Sequence, residues 1–138
     1  MNLVEPLRVY ENIFLGDEPT GRFLIDKKKM IQDASEIIKN LDVDIDPMEL
    51  VERLSTGKKQ MVEIMKALSR SVKILIMDEP TASLSEDETQ KLFETVKKLK
   101  TSGITVIFVS HRLKEIVQIA DELVVLRDGK KVYQGALS

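Results

Sequence analysis

The sequence predicts an α/β fold with a mainly helical part attached: residues 1–70 carry helical periodicity, and residues 71–138 alternate strand and helix. Three observations carry that reading. Ile74-Leu75-Ile76-Met77 is a short continuous apolar run of the kind buried in a parallel sheet. A second such run, residues 104–109, follows after one helix length, which suits a strand–helix–strand crossover. Before residue 71 the punctuation is that of helices, with capping residues at their starts and glycine at a stop.

The elements follow in order. Pro6 and Gly16 bracket a helix over residues 7–15. Residues 17–25 read as a loop with a turn at Pro19-Thr20-Gly21. Asp26 caps the next helix, where Met30, Ala34, Ile37, Ile38 and Leu41 share a face. Pro47 opens a short helical turn to Leu54, and Ser55 caps a longer helix striped by Met61, Ile64, Met65 and Leu68. After the first strand, Ser85-Glu86-Asp87-Glu88 is a capping box whose helix buries Leu92, Phe93, Val96 and Leu99. Gly103 ends it. The strand at 105–109, a helix over 113–120 and a strand at 123–126 complete the layer, and Asp128-Gly129 turns the chain into an antiparallel strand at 131–134.

Composition narrows the function. With 138 residues, 43% hydrophobic and 32% charged, the chain is sized for one domain with a core. A net charge of −2 supplies no chain-wide attraction to nucleic acid or anionic lipid. The absence of cysteine excludes disulfides and thiolate metal sites. No apolar run reaches the roughly 18–20 residues that span a bilayer, and the first residues lack the basic-then-apolar order of a signal peptide, so a membrane role is expected to be peripheral.

Three places hold groups suited to chemistry. Asp78 and Glu79 follow the first apolar strand, and paired carboxylates there are costly unless a cation or a reaction uses them. In phosphoryl-transfer sites one such carboxylate holds magnesium and a second orients the attacking water. The plain alternative is a solvated acidic strand end. His111, the sole histidine, lies past the end of the second strand, on the same sheet edge. Leu54-Ser55-Thr56-Gly57-Lys58-Lys59-Gln60 joins a hydroxyl, a glycine and a helix start into an anion site, to which Lys58 and Lys59 add charge. An ordinary serine cap is the plain alternative there.

In this order and spacing, these elements resemble the nucleotide-binding domain of ABC ATPases. Leu54–Gln60 is similar to the family's signature sequence, Asp78 and Glu79 to its Walker B pair, Ala82-Ser83-Leu84-Ser85 to its D-loop, and His111 to its switch histidine. Thr56 and Lys58 depart from the commonest signature form, Leu-Ser-Gly-Gly-Gln, and Ser85 stands where the D-loop usually has aspartate. Tyr10–Gly16, Phe23–Asp26, Met61–Ile64 and Glu79–Leu84 resemble the first of two fused domains in sugar importers of the ribose/xylose type. The resemblance implies ATP and Mg²⁺ as ligands, with Asp78 placing the metal, Glu79 as general base and His111 sensing the γ-phosphate. Ser55, Thr56, Gly57 and Gln60 would close over ATP held by a second nucleotide-binding domain, with Ser83, Leu84 and Ser85 as the D-loop. It also implies membrane permease subunits, an extracytoplasmic sugar-binding protein and a place on the cytoplasmic face of the membrane.

The family grips phosphate with Gly-x4-Gly-Lys-Ser/Thr. Here only Gly16-Asp17-Glu18-Pro19-Thr20-Gly21 has the glycine spacing, and it continues Arg22-Phe23 without the lysine or hydroxyl. The resemblance therefore implies a P-loop NTPase-like core missing its P-loop strand. Residues 1–70 form the helical signature subdomain and residues 71–138 the C-terminal part of the ATPase core. Such a chain alone is expected neither to bind nor to hydrolyse ATP, and to self-associate through open strand edges. Two other classes compete: a DNA-repair or chromosome-organising ATPase, disfavoured by the charge and the lack of heptads, and an inactive interaction module.

Overall fold

A computed structural model describes residues 3–20 and 24–137. The turn expected through Gly21 and part of the Phe23–Asp26 stretch lie outside those residues.

The first helix, α1 (Val9–Phe14), is shorter than the 7–15 expected. Asn12 explains much of its setting. Its side chain is fully buried, accepts from Val4 N (2.8 Å) and donates to Val4 O (3.0 Å), pinning the incoming chain. Helix α2 (Lys27–Leu41) starts at Asp26, whose Oδ1 accepts from Lys29 N at 3.0 Å. Met30, Ala34, Ile38 and Leu41 face the core, and Asp42 in the left-handed region (φ 58°) stops it. The expected turn after Pro47 is a 3-10 helix at Val51–Arg53. Helix α3 (Thr56–Leu68) is capped by Ser55 and buries Met61, Val62, Ile64 and Met65.

Strand β1 (Ile74–Asp78) pairs in parallel with β2 (Thr105–Val109), from Ile74 opposite Thr105 to Asp78 opposite Val109. Helix α4 (Glu86–Thr101) makes the crossover, with the Ser85/Glu88 capping box formed and all four expected core residues buried. Gly103 (φ +83°) turns the chain back, a conformation that costs glycine little. Phe93 meets Phe108 edge to face, with ring centroids 6.1 Å apart. Leu75 and Met77 join the cluster that holds Val9, Ile13, Val62 and Met65, so the helical and strand–helix regions share one core.

One expectation is corrected here. The two apolar strands are covered on one face only: β1 alternates exposed and buried residues, leaving Ile74 58% and Ile76 66% exposed. Ile107 and Val109 on β2 are open as well. The reason is topological. The crossover helix packs one face, and no described element packs the other.

Helix α5 (Leu113–Ile119) leads to a hairpin, β3 (Glu122–Arg127) and β4 (Lys130–Ala136), longer than the strands expected. Asp128 (φ 51°) and Gly129 (φ 72°) both take positive φ, as a two-residue type I′ turn requires. Among the described residues the two sheets are separate: β1 pairs only with β2, and β3 only with β4. Among the described residues no helix is long and apolar enough to cross a membrane.

Candidate functional site

Asp78 closes β1 and is exposed, while Glu79 begins the loop beyond it. Glu79 takes φ 45°, uncommon for a residue with a side chain, and its N–H donates to Val109 O at 2.9 Å. Backbone strain of this kind, about 1–3 kcal/mol, persists where the surroundings over-determine it and concentrates at functional sites.

The parallel register brings the end of β2 alongside, so Glu79 meets His111 across 32 positions of sequence. Glu79 Oε1 accepts from His111 N (3.1 Å) and lies 2.8 Å from His111 Nδ1. Glu79 Oε2, by contrast, is the one buried side-chain polar atom among the described residues with no hydrogen-bond partner. The imidazole is 74% exposed, which leaves Nε2 available to a ligand.

A cleft of about 390 Å³ lies against these strand ends. Gln60 from α3, Asp78 and Glu79 from the end of β1, and Ser83 from the following loop all line it. The loop is a compact pair of turns, with Ala82 N donating to Glu79 O and Leu84 N to Thr81 O, both at 3.2 Å. Leu84 is half-buried against the core. The structure thus joins one residue of the 54–60 stretch, both acids and one residue of the 82–85 loop in a single hollow.

Ser55, Thr56 and Gly57 sit elsewhere. They form the start of α3, and Ser55 and Gly57 line a second cavity of about 340 Å³ together with Glu88. Glu88 Oε1 accepts from Ser55 Oγ and from Gly57 N, each at 3.0 Å. Its Oε2 accepts from Ser85 N and Ser85 Oγ, each at 3.1 Å. One carboxylate therefore bridges two helix starts. Gly57 is required for that approach, since a Cβ there would lie 2.6 Å from Glu88 Oε1. Ser85 serves as the cap of α4, which accounts for a serine at that place. The charge expected from Lys58 and Lys59 is corrected: Lys58 pairs with Asp44 (3.5 Å) and Lys59 with Glu5 (2.6 Å).

Sequence reasoning read Glu88 only as a capping residue and passed over Glu115. Glu115 is 9% exposed and Thr81 fully buried. Glu115 Oε2 accepts from Thr81 Oγ1 (2.6 Å) and Ser110 Oγ (3.3 Å), and Oε1 from Arg112 Nη1 (3.1 Å). A glutamate near the start of a short helix gave no signal of a partner 34 positions away.

Both glutamates make the fold acid-sensitive. Hydrogen bonds from the Ser85 backbone, the Ser55 hydroxyl and the Gly57 amide hold Glu88 below the ordinary 4.5. Burial pushes Glu115 up, but bonds from Thr81, Arg112 and Ser110 and the charge of Arg112 outweigh it and leave it below 4.5. A folded carboxyl with a lowered pKa binds its proton less tightly than the unfolded chain does, so acid favours unfolding. Stability from these groups is full above the unfolded value and is lost as pH falls from about 4.5 through the folded values. Urea midpoints measured from about pH 7 to about pH 3 are expected to drop in that window, and less steeply in Glu115→Gln. A midpoint that rises on acidification contradicts the assignment.

The family model described as ABC transporter matches residues 1–82. The ribose import ATP-binding protein RbsA of Caldanaerobacter subterraneus subsp. tengcongensis is 48% identical over 139 residues, covering 100% of this chain and 28% of that relative. The galactose/methyl galactoside import ATP-binding protein MglA of Pasteurella multocida is 48% identical over 130 residues, covering 94% and 26%. The chain thus spans little more than a quarter of the length of these curated relatives. Among solved structures, a nucleotide-free ATP-binding cassette from an ABC transporter superposes with TM-score 0.83 at 26% identity, covering 96% of this chain and 56% of that one. An ATP-binding cassette in a dimeric post-hydrolysis state with ADP and Pi gives TM-score 0.77 at 25% identity, covering 99% and 60%.

Proposed function

Since the chain belongs to the ABC transporter family, we propose that it forms part of the ATP-hydrolysing subunit that powers import of a sugar. The observation that carries the reading is the Glu79–His111 contact at the edge of a cleft that also takes in Gln60, Asp78 and Ser83. The words ribose and galactose import in the relatives' names support a sugar as cargo.

The acids present fit the metal-and-water side of a nucleotide site. Glu79 offers a buried, unpartnered Oε2 beside an exposed carboxylate, Asp78, which would hold Mg²⁺ through water. Bound ATP supplies the phosphoryl group and Mg²⁺ neutralises its charge. The Glu79 carboxylate accepts a proton from the attacking water while its Oε1 keeps His111 in place. With Nδ1 turned to Glu79, Nε2 is the ring nitrogen left to meet a phosphate oxygen.

Residues 1–70 act as the helical subdomain that receives membrane permease subunits, and residues 71–138 as the C-terminal part of the ATPase core. Ser55, Thr56, Gly57 and Gln60 serve ATP held by a second nucleotide-binding domain, whose phosphate takes over the donors now given to Glu88. Ser83, Leu84 and Ser85 line the meeting surface. The assembly works at the cytoplasmic face of the membrane, with an extracytoplasmic sugar-binding protein delivering the cargo.

The 138 residues contain no Gly-x4-Gly-Lys-Ser/Thr pattern, so this chain by itself lacks the amides and lysine that make most phosphate contacts. Calorimetric titration of the chain with MgATP is expected to give no binding heat. Joining it to the preceding residues of the Caldanaerobacter relative is expected to restore binding and hydrolysis. A chimera that folds and binds ATP without hydrolysing it overturns the reading.

A further inference from the structure

On the reading that Glu79 and His111 act together on a phosphoryl group, we infer that Glu115 is the positioning residue that holds them in register without touching either. Glu79 and His111 stand on two loops that leave the ends of β1 and β2. Their mutual contact is exposed, with side chains 35% and 74% accessible, and an exposed polar contact is weak on its own. Something firmer must fix the loops.

Glu115 supplies it. From the first loop it takes Thr81, two residues past Glu79, and from the second Ser110 and Arg112, which flank His111 on either side. Ser110 Oγ in turn accepts from Arg112 N at 3.1 Å, so the second loop is closed on itself around the histidine. A carboxylate this buried is costly unless its oxygens are hydrogen-bonded, and two hydroxyls and one guanidinium satisfy it.

Capping the amide at the start of its own helix is not what Glu115 does. It occupies the third position of α5, where a glutamate commonly reaches back to the N-cap amide. Here the Arg112 amide goes to Ser110 instead, and Glu115 Oε2 crosses to the other loop. Truncating Glu115 or removing the Thr81 hydroxyl therefore uncouples the two loops while leaving Glu79 and His111 chemically intact.

The sole histidine makes this testable in the 138-residue chain itself, because its ring resonances are unambiguous. The ¹⁵N shifts of His111 Nδ1 and of its backbone amide are measured in wild type and in Glu79→Ala, which removes the contact outright. Glu115→Ala and Thr81→Val are expected to move both resonances at least halfway to their Glu79→Ala positions, and Thr81→Ser to keep them at wild-type values. Thr81→Val serves alone if Glu115→Ala does not fold. If Thr81→Val or Glu115→Ala lowers the melting temperature yet leaves His111 at its wild-type shifts while Glu79→Ala displaces them, Glu115 is merely structural and the inference is overturned. If Glu79→Ala itself moves nothing, the Glu79–His111 pair is absent in solution, which overturns the inference together with the functional reading beneath it.

Discussion

Glu79→Gln in the chimera with a phosphate-binding segment is expected to bind ATP normally and to hydrolyse it about 10²–10⁴-fold more slowly, the usual yield of general base catalysis. The substitution is nearly isosteric. The amide oxygen it introduces still accepts from His111 N and Nδ1, so that contact and the backbone bond to Val109 O survive. What disappears is the carboxylate's capacity to accept a proton. A loss of about a thousand-fold corresponds to about 4 kcal/mol of transition-state free energy, more than the strain or pairing energies at this turn can account for. Single-turnover hydrolysis alongside a nucleotide-binding titration separates the two effects. Turnover within a few-fold of wild type removes Glu79 from the role of base, and lost binding with proportionate turnover makes it a binding residue instead.

The helices were legible because their signals are local. Asp26 and Lys29, and Ser85 and Glu88, are three residues apart and close their caps as the pattern implies. The Glu79–His111 meeting was legible for a different reason: each residue follows an apolar strand, and parallel pairing puts both strand ends on one edge. What the residues could not reveal is which sheet face is covered. A continuous apolar run reads as buried on both sides, and Ile76 and Ile107 are open because covering them depends on elements other than α4. The same blindness applies to charge. Lys59 reads as a cation beside a helix start until Glu5, 54 positions earlier, is seen against it. Glu115 was hidden in the same way, its bond to Thr81 spanning 34 positions.

The open sheet face leads to the second large effect. Ile74, Ile76, Ile107 and Val109 form one apolar surface on the β1–β2 pair, and β1 and β2 pair with no other strand among the described residues. Such a surface beside free strand edges is a template for association. Burying four half-exposed Ile and Val side chains on each of two copies gains on the order of 6–12 kcal/mol, at about 1.5–3 kcal/mol per fully buried side chain. Ordering two molecules costs an estimated ~4–15 kcal/mol, so apolar burial alone roughly breaks even and strand-edge hydrogen bonds tip the balance. The chain of 15.7 kDa is therefore expected to sediment above its monomer mass and to do so increasingly with concentration. Ile76→Lys combined with Ile107→Lys places two ammonium groups at the centre of the face, where burial without a partner is prohibitive. Both positions already face solvent, so the substitutions leave the core cluster untouched. The double variant is expected to remain folded by circular dichroism and to sediment as a monomer. A wild-type chain that stays monomeric up to about 100 μM, where a net association free energy of roughly 6 kcal/mol would already be well populated, shows that the face is too weak to draw copies together.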